Sequence, residues 1–236
     1  MRNFFAAAIL TTALFIGFAS AEEVELSGAA SAPKEINHAD SIYYPQINFY
    51  EMTSTADRII LTHYPTYQQT TEYSCGAAAA LTVLKYFGDK NFDEQILMTA
   101  METKPKTGTS LGNMVKFFKG IGWDVQSSFD TPPFDEYAFQ KFVRENLSSG
   151  KPIMVENVDW GGHWRVIIGY DSLGTADLCY DDVLIFADPY DTSDHNQDGY
   201  AIESFDRFFA MWFDNHILPE NERNQAWLIA TPKGEP

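Results

Sequence analysis

The hydrophobic period of this chain changes at Gly150, and that change limits the folds open to it. Ahead of it, residues 77–87, 92–101, 110–119 and 134–147 carry apolar side chains at helical spacing, with Gly88 stopping the first helix and Ser148-Ser149-Gly150 the last. Beyond it, residues 152–158, 163–170, 183–187 and 226–230 are short apolar or alternating runs bounded by Gly, Asp and Pro, which predicts strands. One further helix, 204–213, interrupts them, and Arg58-Ile59-Ile60-Leu61-Thr62 is the best strand candidate ahead of the helices. Helices first and an antiparallel sheet second predict an α+β domain with two lobes and a cleft between them.

The start of the chain has a different character. Arg2, an apolar stretch over 4–18 and Ala19-Ser20-Ala21 ahead of Glu22-Glu23 form the pattern of a secretory signal peptide cleaved after Ala21. The apolar stretch is shorter than the ~20 residues a membrane-spanning helix needs. An exported product, periplasmic or secreted, is expected. Residues 22–56 begin rich in Ala, Ser, Glu and Pro and are read as a leader or inhibitory pro-segment, with 57–236 as the folded domain.

The formal charge of −17 opposes phosphate backbones and anionic lipid surfaces, so neither nucleic acid nor a membrane is expected as a partner. Cationic substrates would be attracted, although solubility is the plainer role of such a charge. Two cysteines, Cys75 and Cys179, are too few for a disulfide-built scaffold. One bridge between them is the alternative to a free thiol at Cys75, whose surroundings argue for the thiol. There is no His/Cys cluster with zinc spacing, and no cofactor is required by any motif.

The residues that carry chemistry are Gln69-Thr70-Thr71-Glu72-Tyr73-Ser74-Cys75-Gly76, then Gly161-Gly162-His163-Trp164 at a strand start, then Ala187-Asp188-Pro189 closing the next strand. A thiol at a helix N-terminus feels the positive end of the helix dipole, which favours thiolate. Gly76 would let the backbone of that first turn approach a substrate. An imidazolium at His163 would pair with the thiolate and then protonate a leaving group. Asp188 would orient that ring, or else merely cap a turn before Pro189. The Gln69 amide, with the Cys75 N–H, would hold a tetrahedral oxyanion. Trp160 and Trp164 flank His163, as walls of a cleft or as core.

This constellation resembles the papain-like cysteine peptidases, and most closely the bacteriocin-processing family that cleaves double-glycine leaders. The likeness covers about residues 57–232, with Gln69 six positions before Cys75-Gly76, then His163, then Asp188-Pro189, in the family's order. The resemblance implies a two-lobed papain-like fold with a helical N-terminal lobe, a thioester on Cys75, His163 as acid and base, Asp188 as orienter, Gln69 in the oxyanion hole, and a peptide or protein substrate. No transporter segments follow here, which separates the substrate question from that of the best-known members. The same thioester could pass to an amine or thiol instead of water, as in phytochelatin synthases, and the fold can also serve as a binding module.

A second signal is Asp194-His195-Asn196-Gln197-Asp198-Gly199, the first half of a calcium loop with its turn glycine, which lacks the bidentate Glu because Phe205 stands there. A structural calcium or a plain polar turn would both use these residues. His63, His195 and His216 sit in loop-like contexts and are read as surface residues.

Overall fold

The structure is a computed structural model that describes Ala29 and residues 42–178, 180–192, 194 and 196–234. The signal-peptide pattern, most of the 22–40 stretch, Cys179 and His195 lie outside the described residues.

Helix α1 (Cys75–Tyr86) is buried without a break from Cys75 to Leu84. The run Ala77-Ala78-Ala79-Ala80 makes this workable, because alanine favours the helix and its short side chain lets the backbone sink close to a sheet. Helices α2 (Glu94–Ala100), α3 (Leu111–Gly120) and α4 (Glu136–Ser148) start on Asp93, Ser110 and Asp135, whose side chains accept backbone N–H groups of the first turn. Helix α5 (Phe205–Ala210) follows late in the chain.

The sheet has seven strands: β1 (Arg58–Ile60), β2 (Asp124–Ser127), β3 (Ile153–Asn157), β4 (His163–Asp171), β5 (Val183–Ala187), β6 (Tyr200–Ser204) and β7 (Trp227–Thr231). Their order is β2-β7-β3-β4-β5-β6, all neighbours antiparallel, with β1 beside the far end of β4. The α+β class read from the sequence is what forms. Two strands escape the sequence pattern. β2 has one apolar residue in four, and β6 runs straight into α5, so Ser204 reads as a helix start in the sequence although it ends a strand. Both depend on pairing with a partner distant in sequence, which local propensity does not report.

Strand β4 lies between β3 and β5, and every residue from His163 to Tyr170 is buried. Residues directly opposite in an antiparallel pair share a face. Glu156 is opposite Trp164, and Asn157 is opposite His163. The Trp164 face receives α1, since a Cβ on Gly76 would stand 3.2 Å from the Trp164 ring. On the other face Arg165 lies 4.1 Å from the Phe186 ring centre and 5.4 Å from that of Phe208. Phe208 belongs to an aromatic layer built by α4 and α5, in which the Phe139 and Trp212 rings are 4.5 Å apart. Phe49 is also buried and joins the main core, its ring 5.7 Å from that of Tyr200. The stretch around it, read from the sequence as leader, therefore packs on the folded body.

Gly76 is fixed by packing. A Cβ there would meet Thr109 Cβ at 2.7 Å and its Oγ1 at 2.9 Å. We expect Gly76→Ala to destabilise the fold by about 1–3 kcal/mol, the usual cost of overpacking, measured as a fall in the denaturant midpoint. An unchanged midpoint would show that Thr109 moves aside freely.

Candidate active site

The site begins with a loop held in place before the helix starts. Glu94 of α2 accepts the Thr70 N–H at 3.0 Å and the Thr70 hydroxyl at 2.6 Å, while the Ser74 hydroxyl accepts the Thr71 N–H at 3.2 Å. The Gln69 N–H donates to Pro189 O at 2.9 Å, so one backbone bond ties this loop to the turn that carries Asp188. Cys75 is then the first residue of α1, a free and buried thiol. The first-turn N–H groups of a helix have no intrahelical acceptors and concentrate partial positive charge there.

His163 opens β4, delivered by the glycines Gly161 and Gly162, of which Gly161 adopts a φ of 94°. The ring is 3% exposed. Its Nε2 donates to Asp188 Oδ1 at 2.7 Å, and the strand it opens meets the first turn of α1, where Gly76 faces the Trp164 ring. Burial alone would lower the His163 pKa. The Asp188 carboxylate outweighs that and, together with Cys75, raises it to about 10, so the ring is an imidazolium at neutral pH. Burial likewise opposes the Asp188 charge, yet the imidazolium, Arg165 and the Tyr190 N–H hold its carboxyl below the usual range.

Gln69 is buried at 1% exposure, and its Nε2 donates to Thr71 O at 2.7 Å while its Oε1 has no partner. That bond fixes which end of the amide faces Thr71 and leaves one N–H unspent. Neighbouring Gln68 sits elsewhere, its Nε2 3.1 Å from where a Gly199 Cβ would be. Trp160 is 72% exposed and stands 5.4 Å from the Tyr190 ring, whereas Trp164 is buried and donates to Thr109 O at 2.9 Å. Both line a cavity of about 180 Å³ that opens beside Cys75.

Sequence reasoning missed three charged residues here. Arg165 approaches Asp188 Oδ2 at 3.9 Å and Asp159 at 3.3 Å and also pairs with Glu203. It lies two residues beyond His163 on one strand face, a spacing that would have revealed it. Glu156 is the one charged residue of a wholly buried strand, Ile153–Asn157, which was also readable. Asp214 follows α5 in an irregular stretch and offers no local signal. The exposed His63 and His216 bond Glu51 and Arg223 respectively, as surface residues do.

In the polar loop, Asp194 Oδ1 accepts the Asn196 N–H and Asp198 Oδ1 the Tyr200 N–H, while Asp191 Oδ2 accepts the Gly199 N–H. Among the described residues no three His, Cys, Asp or Glu side chains are grouped to hold a metal ion.

Comparison with known proteins gives the family and the fold. Residues 59–209, more than half of the chain, match the family model described as the papain-like cysteine protease AvrRpt2. The peptidase domain of Streptococcus ComA, a bifunctional ABC transporter of a quorum-sensing pathway, superposes with a TM-score of 0.50 at 18% identity, over 72% of this chain and all of that one. A double-glycine-motif protease from an AMS/PCAT transporter, in complex with its leader peptide, gives 0.47 at 16% identity, over 72% of this chain and 91% of that one. No functionally curated protein matches the sequence at a significant level.

The His163 charge has a testable consequence. A pKa raised by folding contributes stability that is fully present below the unfolded value of ~6.5 and is lost as pH rises through the folded value. That window here runs up to about 10. In an NMR titration the His163 ring should therefore turn over near 10, and Asp188→Asn should bring the midpoint sharply down. A midpoint near the ordinary histidine value in the unmodified protein would refute the charged ring.

Proposed function

The chain belongs to the AvrRpt2 family of papain-like cysteine proteases, and on that premise we propose that it is an exported peptidase that cleaves peptide bonds through a thioester on Cys75. The observation that carries this reading is one buried ring, His163, bonded to Asp188 through Nε2 at 2.7 Å, on a strand that packs against the first turn of the helix opened by Cys75.

Cleavage proceeds in two halves, acylation of Cys75 and hydrolysis of the thioester. The thiolate attacks the scissile carbonyl, and the carbonyl π electrons pass to oxygen as a carbon–sulfur bond forms. The Cys75 N–H and the unspent Gln69 N–H receive that negative charge. As the oxyanion collapses, the carbon–nitrogen bond breaks and the imidazolium gives its proton to the departing amine. A water then attacks the thioester while neutral His163 takes its proton; as the second tetrahedral intermediate collapses, the carbon–sulfur bond breaks, the carboxylic acid leaves and the sulfur departs as thiolate beside the imidazolium, which restores the ion pair. Asp188, itself anchored by Arg165, holds the ring in orientation and favours its charged form through both halves.

Two features lie outside this chemistry. Export rests on the Arg2, 4–18 and Ala19-Ser20-Ala21 pattern; among the described residues no helix is long and apolar enough to cross a membrane. A structural calcium at the Asp194 to Gly199 loop is supported by Asp191, whose Oδ1 is buried without a partner. The exported product should begin at Glu22 by mass, and its melting temperature should fall on chelation and recover with calcium. A retained N-terminus removes the first reading and an unchanged melt the second.

Cys75→Ala should abolish peptide cleavage with the fold intact, and Cys179→Ser should keep most of it. The reverse outcome would overturn the site. Gln69→Ala should lower kcat by about 10²- to 10³-fold with little change in KM, because its amide meets full negative charge only after attack. Alkylation of Cys75 by iodoacetamide forms no oxyanion and should proceed at nearly the unmodified rate. Equal losses in both reactions would show that Gln69 serves the loop through its Thr71 bond instead.

A further inference from the structure

The cavity beside Cys75 has two carboxylates at its inner wall that catalysis does not use. Glu156 of β3 is 1% exposed, and neither of its oxygens has a hydrogen-bond donor from the protein. Asp214 has a fully buried side chain; its Oδ1 accepts the Ile217 N–H at 2.7 Å and the Leu218 N–H at 2.8 Å, while Oδ2 has no donor. The two are neighbours. A Cβ on Gly162 would stand 2.9 Å from both Asp214 Oδ2 and Glu156 Oε1, so the missing side chain keeps open the ground between them. The nearest cation recorded for the pair, Arg223, reaches only the bonded oxygen of Asp214, Oδ1, at 4.0 Å. Lys106 is exposed at the cavity mouth.

Buried carboxylate oxygens without donors are costly, and a native fold keeps them where something else satisfies them. When the cavity is empty, one shared proton can do so. Burial first, then the charges of Asp214 and Cys75, push the Glu156 carboxyl well above the usual range, in keeping with a proton held between the two. That is a partial solution, because one proton leaves acceptor sites unused on both groups. A cationic side chain carries several donors and would satisfy both.

The direction of the substrate follows from the catalytic pair. The leaving amine must face His163 to receive its proton, and the cavity is lined by Cys75 and Gly162 but not by His163. It therefore serves the acyl side of the scissile bond. Its size suits one long side chain rather than a larger ligand. We propose that this cavity is the specificity pocket of the peptidase and takes a lysine or arginine side chain, from one of the two residues on the acyl side of the cut, with its cation held between Glu156 and Asp214. The inference rests on the peptidase reading above and adds the substrate class.

The test pairs turnover with labelling, so that the two readings separate. Peptide substrates and matched peptidyl chloromethyl ketones carry lysine or the near-isosteric norleucine at either acyl-side position. Cleavage is followed as kcat/KM and labelling as the second-order rate at Cys75. Lysine should be preferred by about 10²-fold at one position, because norleucine leaves the buried carboxylates unpaired. Glu156→Gln removes the ability to ionise against a bound cation with almost no change of shape, and should collapse the lysine-to-norleucine ratio to within about threefold. Asp214→Asn keeps its Oδ1 acceptor and should do the same. Equal rates for lysine and norleucine in the unmodified protein, or a ratio untouched by Glu156→Gln, would overturn the pocket. Lysine-selective labelling without turnover of any peptide would overturn hydrolysis alone. Labelling by iodoacetamide but by no peptidyl ketone would overturn both.

Discussion

The approach of helix α1 to strand β4 sets everything else in this site. Thiol and imidazole come from residues 75 and 163, far apart in the chain, and they meet only because the first turn of one element rests on the start of the other. Gly76 makes the approach close enough, filling a gap in front of Thr109 and Trp164 where a methyl group would collide. Trp164 in turn is held by its bond to Thr109 O, so the contact is braced from both sides. A packing contact between neutral groups thus fixes the separation of the thiol and the imidazole. This is economical physically, since dispersion contacts and steric walls are short-ranged and stiff whereas an ion pair alone would tolerate a range of distances.

Much of this was legible before any coordinates. Cys75, His163 and Asp188 were readable because each sits at an element boundary marked by glycine or proline, and boundaries that carry polar residues are where chains place chemistry. At Gly76 the sequence shows that a side chain is missing and not which neighbours require its absence; the fold supplies Thr109 and Trp164. Strands β2 and β6 were hidden for a related cause: their partners, β7 and β5, supply the hydrogen bonds that make them strands, and Asp124-Val125-Gln126-Ser127 has little apolar pattern of its own. Asp214 is the extreme case. Nothing near it in the chain distinguishes it from a turn carboxylate, and only the fold brings it against Glu156.

The electrostatics around the cysteine are layered. On one face of β4, Arg165 lies among Asp188, Asp159 and Glu203, so the carboxylate bonded to His163 is itself held by a buried guanidinium stacked on Phe186. On the other face, Glu156 and Asp214 stand without such a cation. The same strand thus presents an acid cluster with a buried guanidinium at its centre on the side of His163, and two carboxylates without one on the side of the cavity. Burial first, then the neighbouring Asp214 and Cys75, push the Glu156 carboxyl up.

The formal charge of −17 acts on a different length scale from this cavity. Surface charge is screened within roughly 8–10 Å at physiological salt, so it biases which molecules approach and leaves the choice between neighbouring residues of a bound chain untouched. Two carboxylates buried beside Cys75 act at hydrogen-bond range, where water is excluded and an unpaired group is costly. Attraction of basic peptides and selection of a basic side chain are therefore separable properties of one acidic protein. The first belongs to its composition and weakens with salt. The second belongs to the register that sets Glu156 opposite Trp164 and to the space left open at Gly162, and it persists when the surface is screened.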